Sequence, residues 1–126
     1  MERIEQEIAL LQRVVSEIVV SADRKWVMIR SYRLSAGWSY PTTDIAIHFR
    51  PGYEQCGLYG IYARPGLTYQ GARPNNYAQA SGVPFGGDWW VFSWEIDQWQ
   101  ANADIQKGSN IISWYHGIAN RFREGL

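Results

Sequence analysis

Few residues in this chain could carry covalent or acid–base chemistry. Cys56 is the only cysteine, and His48 and His116 are the only histidines. A thiolate is the strongest nucleophile available to such a set, so group transfer through a covalent intermediate would turn first to Cys56. The competing reading is structural, because a lone cysteine commonly packs as a small apolar residue. Neither histidine has a second His, Cys or carboxylate at ligand spacing, which argues against a metal site. Ser93 is followed by Glu95 and Asp97, with Asp104 further on. Those acids read either as a solvated face or as groups that orient an attacking lysine. Without an activating base, the Ser93 hydroxyl is a poor nucleophile. The glycines at 57, 60, 82, 86 and 87 lack the strand-to-helix context and the lysine of a phosphate cradle, so no nucleotide cofactor is expected.

The elements that must position these residues follow from periodicity. Ile4, Ile8, Leu11, Val15 and Ile18 recur at offsets of four, three, four and three, which predicts an N-terminal helix over residues 1–20. Leu10 and Val14 widen its apolar stripe. That stripe reads as packing on a sheet, with pairing to a second copy of the chain through the same helix as the alternative. Lys25 to Tyr32, Asp44 to Phe49 and Leu58 to Ala63 read as three strands joined by short turns, hence an antiparallel meander. Ile45, Ile47 and Phe49 share one face, His48 points to the other, and Tyr59 and Ile61 are expected on a common face. Arg64 to Asp88 is rich in turn-formers, and residues 64–100 are expected to be a loop-rich, active-site-like segment. Ile111, Ile112, Tyr115, Ile118, Ala119 and Phe122 predict a second helix, with Ser109 as its N-cap. Strands grouped together between terminal helices give an α+β class.

The 126 residues fit one domain, taken as 1–126, long enough to build a core without disulfide or metal. Twelve basic and twelve acidic residues cancel, which argues against general binding to nucleic acid or an anionic membrane. No apolar run approaches the roughly 20 residues needed to cross a bilayer, and the acidic opening residues do not read as a signal peptide. A cytoplasmic location is the expectation. Seven tryptophans and eight tyrosines are present, with Trp89, Trp90, Trp94 and Trp99 crowded into one stretch. They read as core and ordered loop, or as interface anchors.

The order of several short motifs resembles the prokaryotic ubiquitin-conjugating-like family E. Leu34, Gly37 and Trp38 match its turn of leucine, small residue, glycine and aromatic. Pro51-Gly52-Tyr53 matches the exit of the alternating strand that follows. Gly86-Gly87, Trp89 or Trp90, Phe92-Ser93 and Trp99 then lead into the last amphipathic helix. The resemblance spans roughly residues 24 to 124.

What the resemblance implies is a bacterial carrier that accepts a ubiquitin-like protein from an adenylating enzyme and passes it on as a thioester. In the wider fold the acceptor cysteine stands shortly before a tryptophan that precedes the next helix. If Trp99 is that tryptophan, the expected position is at or near Val91. Residues 89–93 contain no thiol. The histidine-proline-asparagine tripeptide of the wider fold is also missing; Arg73-Pro74-Asn75 is its nearest echo, with Asn75 left in a polar role. The reading is therefore a pseudoenzyme, a non-catalytic scaffold that binds an adenylating enzyme, a ubiquitin-like protein or both. Its expected contacts are Arg3, Gln6, Gln12 and Arg13 on the first helix, and Trp90, Trp94 and Trp99 in the aromatic stretch. Two rivals stand beside it. Transfer could run through Cys56 or a displaced nucleophile, and an engineered loss of the thiol would leave the same sequence. A carbohydrate-binding module would instead use exposed Trp and Tyr faces.

Overall fold

A computed structural model describes residues 2–95 and 99–125. In chain order the elements are α1 (Arg3–Val14), β1 (Ile18–Val20), β2 (Trp26–Arg33), β3 (Thr42–His48), β4 (Tyr59–Ala63), β5 (Tyr77–Ala80), β6 (Trp89–Glu95) and α2 (Ile111–Glu124). The strands form one six-stranded antiparallel sheet in the order β1-β2-β3-β4-β6-β5. The chain is α+β, with a meander on one side and a late strand inserted beside β4.

Period-2 alternation gives the sheet two apolar faces. Val27, Ile29, Ile45, Ile47, Phe49, Ile61 and Phe92 meet Ile8 and Leu11 of α1 and Trp114, Ile118 and Phe122 of α2 in the main core. Trp26, Met28, Ala46 and Trp89 form a second cluster on the other face, covered by Val83 and Phe85. Both helices thus lie on one side, and a loop covers part of the other.

The first helix is shorter than its apolar pattern predicts. It ends at Val14, Val15 is already extended, and Ile18–Val20 instead pairs with Val27–Ile29. Apolar periodicity does not separate a helix that continues from a strand that begins with the same side inward. The β-branched run Ile18-Val19-Val20 favours the strand, where its stiff side chains pack on a pleated surface. Ser21 and Asp23 close the β1–β2 turn. The Ser21 hydroxyl accepts from the Trp26 amide at 3.0 Å, and Asp23 accepts from the Lys25 amide.

The segment expected to be loop-rich contains two strands. β6 pairs with β4 on one side and with β5 on the other. Its first four residues, Trp89 to Phe92, are all apolar and at least half-buried, and alternation begins only at exposed Ser93, which hides the strand from a period-2 reading. Arg64 ties the preceding loop to the sheet. Its guanidinium bonds Asp44 Oδ2 at 3.0 Å, donates to the carbonyls of Gly86 and Asp88, and lies 4.0 Å over the Trp89 ring. Tyr59 and Ile61 do not share a face as expected. The register shifts between them at Gly60, whose φ is +82°, leaving Tyr59 37 % exposed beside the Arg50 guanidinium while Ile61 is buried. Asn110, one residue beyond the expected Ser109, caps α2. Its side chain accepts from Ile112 and Ser113, and Ser113 reciprocates. Ser109 instead accepts from the Gln100 amide at 3.0 Å. Among the described residues, no helix is long and apolar enough to cross a membrane.

Candidate functional site

Val91, the position expected to hold a thiol, lies inside β6 opposite Tyr62 of β4 and Ala78 of β5. It is half-buried, and a β-carbon added at Gly60 would stand 3.0 Å from Val91 Cγ2. The place is thus a paired strand with an apolar side chain against a neighbouring strand. Ser93 is exposed on the same strand, and its amide donates to the Asn76 carbonyl at 3.0 Å. That bond brings the residue following the Arg73-Pro74-Asn75 echo beside β6. Arg73 itself donates to the Tyr77 carbonyl at 2.7 Å and lies 4.9 Å over the Trp90 ring. Among the described residues, no base is hydrogen-bonded to Ser93. Asp97, one of its two neighbouring acids, lies outside the described residues, and Glu95 is exposed.

The four clustered tryptophans are engaged rather than offered to solvent. Trp89 is buried and donates to the Phe85 carbonyl. Trp90 packs on Tyr77, and Trp94 stacks on Trp114 at 4.6 Å with Arg121 over it. Trp99 packs on Tyr53 and donates to the Glu54 carbonyl at 3.0 Å. Gly57 and Gly117 make room for two of these rings. A β-carbon at Gly57 would come within 2.7 Å of Trp99, and one at Gly117 within 2.6 Å of Trp94. Trp89 is buried, and Trp90, Trp94 and Trp99 are half-buried.

Cys56 stands in the loop between β3 and β4. Its thiol is half-buried and donates to the Pro51 carbonyl at 3.2 Å. Sequence separation puts it far from Val91, yet its loop is packed against Trp99 through Tyr53, Glu54 and Gly57. Among the described residues, no histidine or carboxylate is hydrogen-bonded to the thiol. His48 stacks on Trp26 at 4.1 Å on the face away from the helices, and His116 is exposed on α2.

The sequence reading missed a buried carboxylate. Glu7 is 0 % exposed and collects donors from three separate segments. Its Oε1 accepts from the Tyr53 hydroxyl at 2.5 Å and from the Ile111 amide at 2.6 Å, and its Oε2 accepts from Arg3 Nε at 2.6 Å. The negative charge therefore sits at the N-terminus of α2, where the helix dipole favours it. Burial pushes the Tyr53 phenol above its ordinary range, and the Glu7 charge and hydrogen bond push it further, so Tyr53 stays a donor. Burial pulls the Arg3 guanidinium down, but Glu7 and then Glu54 more than offset this and hold it above its ordinary value. Arg3 also reaches Glu54 at 3.0 Å and the Asn102 carbonyl at 2.5 Å. Of the four α1 residues expected to face a partner, Arg3 is thus turned into this network. Gln6 is half-buried, and Gln12 and Arg13 are exposed. A glutamate on the buried side of an amphipathic helix was the only signal in the sequence, and its partners lie 46 and 104 residues away.

Searches of curated proteins and of solved structures found no match. A family model described as Prokaryotic E2 family E matches residues 6–121, from the middle of α1 to the last turns of α2. That span takes in the Pro51-Gly52-Tyr53 loop, the β5–β6 pair and both helices, and the chain belongs to this E2-like family.

Proposed function

We propose that this chain is a non-catalytic component of a ubiquitin-like conjugation system, binding an adenylating enzyme, a ubiquitin-like protein or both. The observation that carries the reading is the combination of family membership with β6 as it stands. The expected thiol position is Val91, an apolar residue in a strand paired on both sides, and among the described residues the neighbouring Ser93 has no hydrogen-bonded base. A thioester carrier needs an accessible nucleophile that ionises at neutral pH, and this strand supplies none. What remains is surface. The exposed residues Gln12 and Arg13 on α1, with Gln6 beside them, form the docking face for the adenylating enzyme. Arg3 positions that helix through Glu7 instead of reaching out. The edges of Trp90, Trp94 and Trp99 border the face for the ubiquitin-like protein, in keeping with the tryptophan and arginine enrichment of interface anchors.

A second reading is favoured by one specific contact. The loop bearing Cys56 rests on Trp99, so a thiol remote in sequence is joined to the aromatic segment in space. A charging assay with an adenylating enzyme, its ubiquitin-like protein and ATP, read on non-reducing gels, separates the two. The scaffold reading expects no thiol-sensitive adduct together with co-elution with at least one of the proteins. An adduct lost in Cys56→Ala establishes the carrier reading instead, and absence of both adduct and co-elution overturns both.

A further inference from the structure

A groove runs along the outer edge of β2, away from β6 and the Cys56 loop. β1 is only three residues long and stops pairing at Ile18 opposite Ile29, so β2 continues past it from Arg30 to Arg33. The last contact on that side is the Arg30 amide to the Glu17 carbonyl, at a long 3.4 Å. Ser31, at φ +53°, is the extra residue of a bulge, and its amide turns inward to Asp44 Oδ1 at 3.0 Å. Beyond the bulge, Leu34 donates to the Pro41 carbonyl on the β3 side. Alternation in an antiparallel ladder then directs the Arg33 N–H and C=O the other way, toward the open edge. Among the described residues neither group has a partner there.

The space beside this edge is a cleft of about 460 Å³, lined by Val15, Glu17, Arg30, Arg33 and Tyr115 among others. It shares Tyr32 and Arg33 with a second cleft of about 300 Å³ that continues along Ser35, Phe122 and Arg123 of the α2 end. Three exposed arginines, at 30, 33 and 123, face one carboxylate, Glu17, and among the described residues none of the three is in an ion pair. The rest of the wall is apolar or aromatic apart from Ser16, Ser31 and Ser35.

We propose that this groove captures an extended acidic peptide segment of a partner protein, which adds as a short strand at Arg33 and pairs its carboxylates with Arg30, Arg33 and Arg123. An unpaired edge offering one donor and one acceptor suits a peptide backbone, and the excess of guanidiniums over carboxylates selects acidic side chains. A nucleic acid would satisfy the charges but has no backbone to continue the ladder. The inference does not depend on the conjugation reading.

The test uses the full chain and a labelled peptide of alternating Glu and Val, followed by fluorescence anisotropy at low salt. The expected result is saturable binding that weakens by about tenfold or more in the Arg30→Glu/Arg33→Glu double variant. Binding should also fail for an alternating Lys and Val peptide, and for a Glu–Val peptide with proline at its alternate positions, which cannot donate to a ladder. Hydrogen exchange should show the Arg33 amide newly protected in the complex. The double variant changes exposed side chains only, and an unchanged circular dichroism melt confirms that it is folded. No binding of the Glu–Val peptide, equal binding of the proline peptide, binding indifferent to the double variant, or equal binding of an oligothymidylate would each overturn the proposal.

Discussion

Two regions of this molecule treat polar chemistry in opposite ways. Where α1, α2 and the Pro51–Gly57 loop meet, a fully buried carboxylate is matched donor for donor by Arg3, Tyr53 and the Ile111 amide. Along β6, where the family resemblance would have an activated thiol, an apolar Val91 sits in a paired strand between tyrosine and alanine. The first region carries a charge that its surroundings fully accommodate. Among the described residues the second carries no thiol, and its Ser93 hydroxyl has no hydrogen-bonded base. A fold can therefore keep costly polar order for architecture in one place while the region expected to do chemistry is packed like ordinary sheet. The difference leaves α1 held firmly against α2 and Val91 enclosed within the sheet.

Removing the matched charge is the most damaging way to break that comparison. Glu7→Ala leaves a guanidinium, a phenol and a helix N-terminus facing an apolar gap. Losing one member of a buried charged pair costs about 3–5 kcal/mol. Urea denaturation should show that drop in the unfolding free energy. Glu7→Gln retains an acceptor for Tyr53 and Ile111 and gives up only the charge, so it should lose less. Equal stability of Glu7→Ala and the parent would mean that the network is not what fastens α1 to α2.

Arg64 does for the β6 side what Glu7 does for the helices, but nearer to solvent. Arg64→Ala deletes the Asp44 pair, two carbonyl contacts and the stacking over Trp89. With charged hydrogen bonds worth about 1.5–3 kcal/mol each when buried, and less here because the side chain is part-exposed, a loss of about 2 kcal/mol is expected. Hydrogen exchange should rise first in residues 82–88, the loop that Arg64 holds. A loss spread evenly over the sheet would show instead that the loop and the core unfold together.

Much of this architecture was legible in the sequence where one face of an element is apolar and the other polar. The second helix and the β3 pattern Ile45, Ile47, Phe49 are of that kind, and all three β3-region residues are buried. The end of α1 was not legible, because Val15 and Ile18 keep the same side inward whether the chain coils or extends. β6 was hidden by its opening residues, since Trp89 to Phe92 are all apolar and at least half-buried and show no alternation before exposed Ser93. The positive φ of Gly60, opposite a one-residue bulge in β6, turned Tyr59 away from Ile61 through a backbone conformation that composition does not reveal. At the candidate site, the missing thiol could be read directly from residues 89–93. The strand environment of Val91 and the packing of Cys56's loop on Trp99 could not, because both depend on partners distant in the chain. Glu7 was the same problem in a stronger form.

A thiol placed where the fold lacks one sharpens the contrast at modest cost. Val91→Cys removes one methyl from a half-buried site, and the expected destabilisation is below about 1.5 kcal/mol. In the charging assay the Val91→Cys/Cys56→Ala double variant, whose only thiol is at position 91, should form no thiol-sensitive adduct, because the side chain there is half-buried and pressed toward Gly60 of the neighbouring strand. Appearance of an adduct would dissolve the distinction between the two regions. The transfer geometry would then be intact and only the sulfur missing.

The smallest effect expected is a pH dependence set by His48. Burial lowers its pKa below the ordinary 6.5, Asp23 pulls it back up, and the Arg50 charge adds to the lowering. A base whose folded-state pKa is depressed binds a proton more readily when unfolded. Its contribution is therefore fully present above 6.5, declines as pH falls from 6.5 toward the lower folded value, and changes no further below that. Glu5 and Asp23, both lowered first by side-chain hydrogen bonds from Arg24 and Ser21, lose their contributions only as pH falls below their ordinary 4.5 and 3.8. The His48 slope is thus separable from theirs. Chemical denaturation between pH 7.5 and about 5 should show a shallow fall in stability, and His48→Gln should flatten it. A slope that survives the substitution would assign the titration to some other group, and would leave the Trp26–His48 stack as packing alone.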